Sequence, residues 1–303
     1  MSVAYLVTCY NKSRYIGDVL DAIIAERRST DGDIIVVDDG SDDGSLEMIV
    51  ARSKNQRNFS VLRQDNAGVV SATNSLFSRC SQPVFRLIDA DDIISPGSTS
   101  ALLDSLDRSN LDIVFGAHQV YDQKPVVPPA IRRTFTCDEL SDTVIDALRG
   151  NVFSVSSTLF RTAPAKALFP LPDRYRTSQD YMLSLRAALR GLRIGRVRDI
   201  VSLGPKTAPN RLSSDKRLVF GETVDFIAAE LAGASASIGR HAYSYALRRQ
   251  SGRALLWSMR HGHRQQLTIA GLSATRLFAA LFTRKQVCRN LVWIARNVYG
   301  VQR

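Results

Sequence analysis

The sequence lacks the cysteine patterns that are typical of small disulfide-stabilised folds and of metal-binding modules. Its four cysteines are widely separated, and none forms a C-x-x-C pair or a Cys/His spacing: Cys9, Cys80, Cys137 and Cys288. Zinc-finger modules and small disulfide scaffolds are therefore excluded. Scattered thiols favour a reducing compartment, in which each thiol acts as a small core side chain.

Long apolar runs are also missing. No stretch reaches the roughly 18 consecutive apolar residues of a membrane-spanning helix. The start, MSVAYLVTCY, has neither the basic residues nor the small-residue cleavage site of a signal peptide. We therefore expect a cytoplasmic protein, or one bound peripherally to the cytoplasmic face of the inner membrane. The chain of 303 residues is 45% hydrophobic, which is enough for a sizeable core.

Acidic residues disappear from the last part of the chain. Residues 231–303 contain twelve Lys or Arg and no Asp or Glu, whereas residues 1–230 contain 28 basic and 29 acidic side chains. A near-neutral body with a basic tail predicts an anionic partner for residues 240–303, either a membrane surface or nucleic acid. Within 275–299 the apolar spacing fits a helix packed on a core or one lying on anionic lipid. The absence of acidic residues favours the second interpretation, so an anionic membrane surface is the expected partner.

Apolar runs of strand length alternate with helical patterns in the first part of the chain. We predict strands at 3–8, 34–37, 59–62, 84–88, 111–117 and 155–160, and helices starting near Ser13 and at 46–53, 68–79, 138–149 and 179–189. Residues 212–299 are expected to be mostly helical, with breaks near Gly233, Gly262 and Gly271. Such alternation indicates an α/β fold with a mostly parallel sheet covered by helices on both faces.

Two acidic clusters follow predicted strands directly. Asp38-Asp39 ends the strand at 34–37, and Asp89-Ala90-Asp91 ends the strand at 84–88. Ligands of such sheets bind at the carboxyl ends of the strands, so both clusters are expected to meet in one crevice. Clustered carboxylates repel one another unless a cation lies between them, and Mg²⁺ or Mn²⁺ is the natural counter-charge. The alternative is an Asp-rich turn without a metal.

Five motifs follow one another between residue 1 and about residue 220. They are LVTCYNK (Leu6–Lys12), VVDDGSDDGS (Val36–Ser45), QDNAG with SATN (Gln64–Gly68, Ser71–Asn74), DADD (Asp89–Asp92) and SQDY (Ser178–Tyr181). This ordered set resembles glycosyltransferase family 2. The resemblance implies the GT-A fold and an inverting transfer of a sugar from a nucleotide-sugar, a UDP-sugar by family precedent, to a hydroxyl group.

The resemblance also implies roles for individual residues. The donor-binding set is Thr8, Tyr10, Asn11, Asp38, Asp39, Asn66, Gly68, Asp89 and Ala90, with Asp38 or Asp39 accepting from the nucleobase. Asp91 would bind Mn²⁺ or Mg²⁺ directly, and Asp89 would contact the ribose, a metal-bound water or the metal. Asp180 would be the general base, although its spacing alone, without the resemblance, better fits an acid at a helix N-terminus. Ser156, Ser157, Gln179 and Arg211 would face the acceptor.

Three positions depart from the family pattern. Thr8 stands where proline is common, Thr73 where arginine is frequent, and Gln179 where glutamate usually precedes Asp180. Thr73 removes a phosphate contact, and Gln179 changes a supporting contact. Asp180 is retained, so we expect activity.

The expected organisation is a GT-A catalytic domain at 1–220, made of a donor half (1–110) and an acceptor half (111–220), followed by a helical basic region at 221–303. The acceptor would be a glycan or a lipid-linked glycan of bacterial polysaccharide synthesis. One alternative is a sugar nucleotidyltransferase, but its Gly-rich loop after the first strand is replaced here by Thr8–Asn11. The other alternative is a nucleic-acid binder acting through residues 240–303. The sequence shows no motif of a known nucleic-acid-binding module, so nucleic acid is not expected as a partner.

Overall fold

The structure is a computed structural model. It describes residues 1–302 except 31, 55, 123–127, 132–135, 208–213, 237 and 262–265. The chain forms two compact units that alternate along the sequence. The first comprises Met1–Ser141, Phe153–Asp180 and Gly191–Arg211, and the second comprises Asp142–Val152, Tyr181–Arg190 and Leu212–Arg303.

A mixed sheet forms the first unit. Its strands among the described residues are β1 (Val3–Cys9), β2 (Ile34–Asp38), β3 (Phe59–Arg63), β4 (Val84–Asp89), β5 (Ile93–Ile94), β6 (Ile113–Tyr121), β7 (Cys137–Glu139), β8 (Thr158–Arg161) and β9 (Ile194–Pro205). Their spatial order is β3-β2-β1-β4-β8-β6-β9-β5, and β7 pairs with β9. The sheet is parallel from β3 to β4. Beyond β4 it is mixed, because β8 runs antiparallel to both β4 and β6.

Helices lie between these strands and after β9. They are α1 (Ser13–Thr30), α2 (Ser45–Ser53), α3 (Val69–Phe77), α4 (Ser98–Arg108), α5 (Thr143–Arg149), α6 (Thr162–Ala165), α7 (Gln179–Leu189), α8 (Lys216–Gly233), α9 (Arg240–Arg260), α10 (Gln266–Leu277) and α11 (Arg284–Asn297). The first helix starts at Ser13, as predicted. Ser13 is the first helical residue of α1, the carbonyl of Lys12 accepts from Ile16 at 2.9 Å, and Asp43 accepts from the Ser13 amide.

Both faces of the sheet are covered, as the buried strands predict. On one face, alternate side chains of β1 share a core with α1, including Val3, Val7, Ile16 and Leu20. On the other face, Phe85 of β4 stacks on Phe160 with ring centroids 4.9 Å apart. Phe77 at the end of α3 packs edge-on against Phe85 at 5.4 Å. The α/β class and the GT-A-like layering are therefore as predicted.

The second unit is helical. Its most extensive helix packing joins α11 to α8, followed by α10 to α9. The apolar residues Val287, Leu291 and Ile294 of α11 are buried. The core-packing alternative therefore describes α11. A different set of apolar side chains remains exposed at the end of α10 and just beyond it: Leu277, Phe278 and Leu281. None of the helices in the described ranges combines the length and hydropathy needed to cross a bilayer.

Three predicted elements differ from the structure. Residues Val155–Ser157 form a 3₁₀ turn, and the strand starts only at Thr158. The expected helix at 138–149 begins at Thr143, because Cys137–Glu139 pair with β9. No helix break occurs at Gly271: α10 continues through it, because a single glycine lowers the stability of a helix without ending it. The break near Gly262 lies outside the described residues.

Candidate active site

The two acidic clusters flank the end of the same central strand. In the parallel register, Thr8 of β1 lies beside Asp89 of β4, and Cys9 lies beside Asp38 of β2. The Asp39 amide donates to the Cys9 carbonyl at 2.8 Å, and the Ala90 amide donates to the Thr8 carbonyl at 3.1 Å. Parallel pairing with β1 thus brings both acidic loops to one edge of the sheet, as predicted.

The Asn11–Lys12 segment links the two clusters. The Asn11 amide donates to Ser41 Oγ at 2.9 Å, and the Lys12 amide donates to Ser45 Oγ at 2.8 Å. The Lys12 Nζ donates to Asp91 Oδ2 at 2.7 Å. Both side chains of this ion pair are largely buried, with exposed fractions of 13% and 9%. The backbone of this segment is therefore held by the loop that follows the first cluster, through Ser41 and Ser45. The Lys12 side chain offsets the charge of Asp91 in the second cluster.

Asp39 organises the loop that leads into α3. Its Oδ1 accepts from the Ala67 amide at 3.0 Å and from Gln64 Nε2 at 2.8 Å, while Oδ2 accepts from the Gly68 amide at 2.9 Å. Gly68 is required here, since its φ is +89° and a Cβ would approach the Arg176 backbone to within about 3.1 Å. The Asp39 carboxylate thus fixes the loop from Gln64 to Gly68.

Asp38 is fully buried. Its Oδ2 accepts from the Ser41 amide at 3.2 Å and lies 3.8 Å from Arg63 Nε. Its Oδ1 has no hydrogen-bond partner among the described residues. Asn66, also in the predicted donor set, accepts from Arg176 Nη2 at 2.7 Å. Tyr10 is exposed.

Asp89 receives side chains from two distant parts of the first unit. Its Oδ1 accepts from Thr8 Oγ1 and from Gln179 Nε2, each at 3.1 Å. Its amide donates to Ser156 Oγ at 3.1 Å. Gln179, assigned from the sequence to the acceptor side, thus contacts a carboxylate of the donor set. A glutamate at position 179 would place a second negative charge beside Asp89. The side-chain amide of Gln179 can instead donate a hydrogen bond to this carboxylate.

Asp180 lies close to the second acidic cluster. Its Oδ1 accepts from the Val155 amide at 3.2 Å, so the 3₁₀ turn that replaced the predicted strand orients this carboxylate. The turn also supplies the buried Ser156 to Asp89. Ser157 is buried as well, but its hydroxyl donates to the Ser154 carbonyl at 2.9 Å and serves the turn itself. Arg211 lies outside the described residues.

Asp92 is a buried carboxyl that the sequence interpretation left without a role. Burial, followed by the negative charges of Asp89, Asp91 and Asp180, raises the pKa of Asp92 well above its usual value. His118 Nε2 lies 4.0 Å from Asp92 Oδ1, and His118 Nδ1 lies 2.9 Å from Ser202 Oγ. The charges of these three carboxylates act on Asp92, so the four carboxyl groups form one acidic site. Lys12 ends the first motif but was assigned no role, and His118 lies outside the motifs. The contacts of both depend on pairing between distant segments.

The donor atoms around Asp91 suit a hard cation. Across the described ranges, no group of three or more His, Cys, Asp or Glu side chains is arranged to enclose a metal ion. Mg²⁺ and Mn²⁺ sites that also bind phosphates commonly use only one or two protein carboxylates. Asp91 and Asp89 fit this oxygen-only pattern, with the Lys12 ammonium now in ion pair with Asp91.

Comparisons with known proteins agree with this architecture. The family described as Glycosyl transferase family 2 matches residues 5–169. The chain therefore belongs to glycosyl transferase family 2, as the motif resemblance predicted.

One curated relative is the poly-beta-1,6-N-acetyl-D-glucosamine synthase of Staphylococcus aureus, 25% identical over 63% of this chain and 47% of the relative. The chain spans about half the length of the curated relatives it matches, with 57%, 42% and 47% of three of them covered. Among solved structures, S. aureus TarS 1-349 in complex with UDP-GlcNAc has a TM-score of 0.71 at 20% identity, covering 99% of this chain and 90% of TarS 1-349.

A second solved structure is the mannosyltransferase PcManGT from Pyrobaculum calidifontis in complex with GDP-Man and Mn²⁺. It has a TM-score of 0.57 at 15% identity and covers 98% of this chain and 86% of its own. At these identities the likeness establishes the shared fold.

Proposed function

We propose that this protein is an inverting glycosyltransferase that moves a sugar from a nucleoside-diphosphate sugar to a hydroxyl group. The observation that carries the proposal is the convergence, in a family 2 chain, of Asp89 and Asp91 at the end of β4 with Asp180 at the start of α7. A UDP-sugar donor is favoured by the UDP-GlcNAc complex of the similar TarS fold. The acceptor is proposed to be a glycan or a lipid-linked glycan.

The donor is proposed to lie along the loops that follow β1, β2 and β4. Thr8, Tyr10 and Asn11 would contact the base and ribose, and Asp38 or Asp39 would accept a hydrogen bond from the nucleobase. The fully buried Oδ1 of Asp38 supports this use, since it has no protein donor among the described residues. Asp39 supports the same pocket by fixing the backbone at Ala67 and Gly68.

A divalent cation is proposed at Asp91, with Asp89 beside it. When bound, such an ion stabilises the negative charge that develops on the leaving diphosphate. The Mn²⁺ in the similar mannosyltransferase structure supports this choice of ion. Lys12 supplies a positive charge at the same carboxylate, so this chain holds the Asp91 side chain oriented before the donor binds.

Asp180 is proposed as the general base. The acceptor hydroxyl is a weak nucleophile, and removal of its proton as the new bond forms lowers the barrier. The Val155 amide holds one oxygen of the carboxylate, which fixes the side chain's direction. Direct attack opposite the leaving diphosphate inverts the anomeric centre, so an α-linked donor gives a β-linked product. Gln179, the residue before this base, donates a hydrogen bond to Asp89 and so links the start of α7 to the end of β4.

Contact with an anionic membrane surface is proposed for residues 240–303. The charge pattern supports it, since this region has no acidic side chain. The exposed Leu277, Phe278 and Leu281 lie beside Arg276, Arg284 and Lys285 along the chain, a combination that suits the interface of an anionic bilayer. Flotation with phosphatidylglycerol vesicles tests this proposal. L277Q/L281Q should float less than wild type, and an unchanged distribution would contradict it.

The reaction class is tested with a panel of UDP- and GDP-sugars in the presence of Mn²⁺. We expect one donor to release its nucleoside diphosphate and to raise the melting temperature, with both effects lost on chelation. Release of pyrophosphate from a nucleoside triphosphate and a sugar 1-phosphate would instead establish the nucleotidyltransferase alternative. Binding of an oligonucleotide that weakens as salt rises, with no donor binding, would favour the nucleic-acid alternative.

A further inference from the structure

A cavity of about 640 Å³ opens in the second unit, between the first turn of α8 and the second half of α9. Its volume is within the range of small-molecule sites. Four cationic side chains line it: Lys216, Arg217, Arg253 and Arg260. Asp215 is the one carboxylate lining it within the described ranges, and its Oδ1 is engaged by the Leu218 amide at 3.0 Å as the N-cap of α8.

Two of these cations are held by contacts with neutral groups. Arg253 lies over the Phe220 ring, 4.5 Å from its centroid, and Arg217 Nε donates to the Tyr299 carbonyl at 2.9 Å. Burial, together with the neighbouring Arg249, lowers the pKa of Arg253 from its ordinary value. Grouping like charges around a half-buried guanidinium costs free energy, and a bound anion would lower that cost.

An aromatic wall completes the cavity. Trp257 packs edge-on against Phe220 with centroids 5.7 Å apart, and the His261 ring stacks on Trp257 at 3.8 Å. The Trp257 indole N–H is buried without a hydrogen-bond acceptor among the described residues. Leu256 adds apolar surface. The cavity therefore presents aromatic and apolar surface beside several cations.

We infer that this cavity binds a phosphate ester whose organic part lies against Trp257 and Phe220. Guanidinium groups match phosphate oxygens with paired N–H donors, and the first turn of α8 adds the positive end of a helix. A ring or an acyl segment next to the phosphate would cover the aromatic wall. The phosphate could belong to a lipid headgroup or to a soluble or glycan-borne ester, and the chemistry recognised is the same.

The inference is independent of the proposed transferase activity. The donor site uses residues of the sheet loops, none of which lines this cavity. Binding here is measured directly, so a failure of the transfer reaction would leave the inference standing, and the reverse also holds.

Phenyl phosphate is a suitable probe because it combines both features of the proposed ligand. The chain has two tryptophans, so W293F leaves Trp257 as the sole indole reporter. In this background we expect a saturable change in tryptophan fluorescence with a dissociation constant of about 1 mM or tighter. Inorganic phosphate should bind more weakly and phenol should not bind, because each lacks one half of the ligand.

The variant pair K216Q/R260Q removes two charges at exposed positions without disturbing the core. It should weaken phenyl phosphate binding by about tenfold or more, since charge-assisted hydrogen bonds are lost. The matched control R240Q/R248Q removes two exposed charges from α9 that do not line the cavity, and it should bind like the parent. R253Q tests the half-buried cation, with a melting curve to verify folding.

Vesicles of phosphatidylglycerol and phosphatidylcholine identify the source of the phosphate. Competition with phenyl phosphate by the anionic vesicles alone supports a lipid headgroup, and absence of competition supports a soluble or glycan-borne ester. The inference is overturned if phenyl phosphate does not bind, if K216Q/R260Q binds as tightly as its parent, or if the control loses as much affinity.

Discussion

Replacement of Arg86 by methionine should destabilise the protein substantially, because this fully buried cation joins four segments of the first unit. All five of its N–H groups donate. Nε and Nη2 donate to the Ser156 carbonyl at 3.2 and 2.9 Å, and Nη2 also donates to the Val201 carbonyl at 2.9 Å. Nη1 donates to Ser98 Oγ and Thr99 Oγ1, each at 2.9 Å.

The magnitude follows from what the substitution leaves behind. The Val201 carbonyl keeps the Ser95 amide as a donor at 3.0 Å, but the Ser156 carbonyl loses both N–H donors of Arg86 inside the core. Leaving the Ser156 carbonyl without a donor costs about 1–3 kcal/mol, and each hydrogen bond lost at Val201, Ser98 and Thr99 costs about 0.5–1.5 kcal/mol. Part of this is offset, because the variant no longer desolvates a guanidinium whose pKa burial has lowered to about 10. We expect R86M to lose about 3 kcal/mol of unfolding free energy.

Urea denaturation followed by circular dichroism measures this loss. R86K should lose less than R86M, because its ammonium can still donate to both carbonyls, and R108M on the exposed end of α4 should be close to wild type. A loss below about 1 kcal/mol for R86M would refute the reasoning, since it would mean that the Ser156 carbonyl finds another donor. At temperatures where R86M is folded, transfer activity should also fall, because Arg86 fixes the Ser156 carbonyl in the turn that orients Asp89 and Asp180.

Three further predictions follow from the site. D180N should keep donor binding, measured by calorimetry, and lose transfer by about 10²-fold or more, since the proton acceptor is gone; full transfer would remove the assignment. K12M should bind Mn²⁺ more tightly in a thermal-shift titration, because the ammonium no longer competes for Asp91 Oδ2, and weaker binding would show that Lys12 assists the ion. Burial raises the pKa of Cys9 to about 12, so the folded state resists ionisation of this thiol. Stability should therefore fall by about 1.4 kcal/mol per pH unit above the unfolded thiol pKa near 9, a slope that C9A removes in pH-dependent unfolding.

Strands with continuous apolar runs were predictable from the sequence. Ile34–Val37 and Val84–Ile88 are buried on both faces, and each ends in its acidic cluster where the apolar run stops. β9 was missed, because the sequence IGRVRDIVSLGP places glycine, arginine and aspartate among its apolar residues. Its formation depends on pairing with β6, a tertiary contact that no local pattern encodes.

The same limit applies to the site. The motif positions Asp38, Asp39, Asp89, Asp91 and Asp180 were visible in the sequence, and parallel pairing explains why the first four reach one edge. The ion pair of Lys12 and the contact of Gln179 with Asp89 could not be predicted, because each joins segments at least 79 residues apart. The hydrogen bonds of Arg86 could not be predicted either, because the sequence pattern at 84–88 indicated only a buried strand.

The most direct test of the acidic site compares donor binding by wild type and D91N. The account predicts that Mn²⁺ strengthens binding of the preferred nucleotide-sugar to wild type in calorimetry, and that this metal-dependent gain disappears in D91N. The exposed variant D104N on α4 should behave like wild type. An equal Mn²⁺-dependent gain in D91N and wild type would contradict the proposal that Asp91 links the metal to the donor diphosphate.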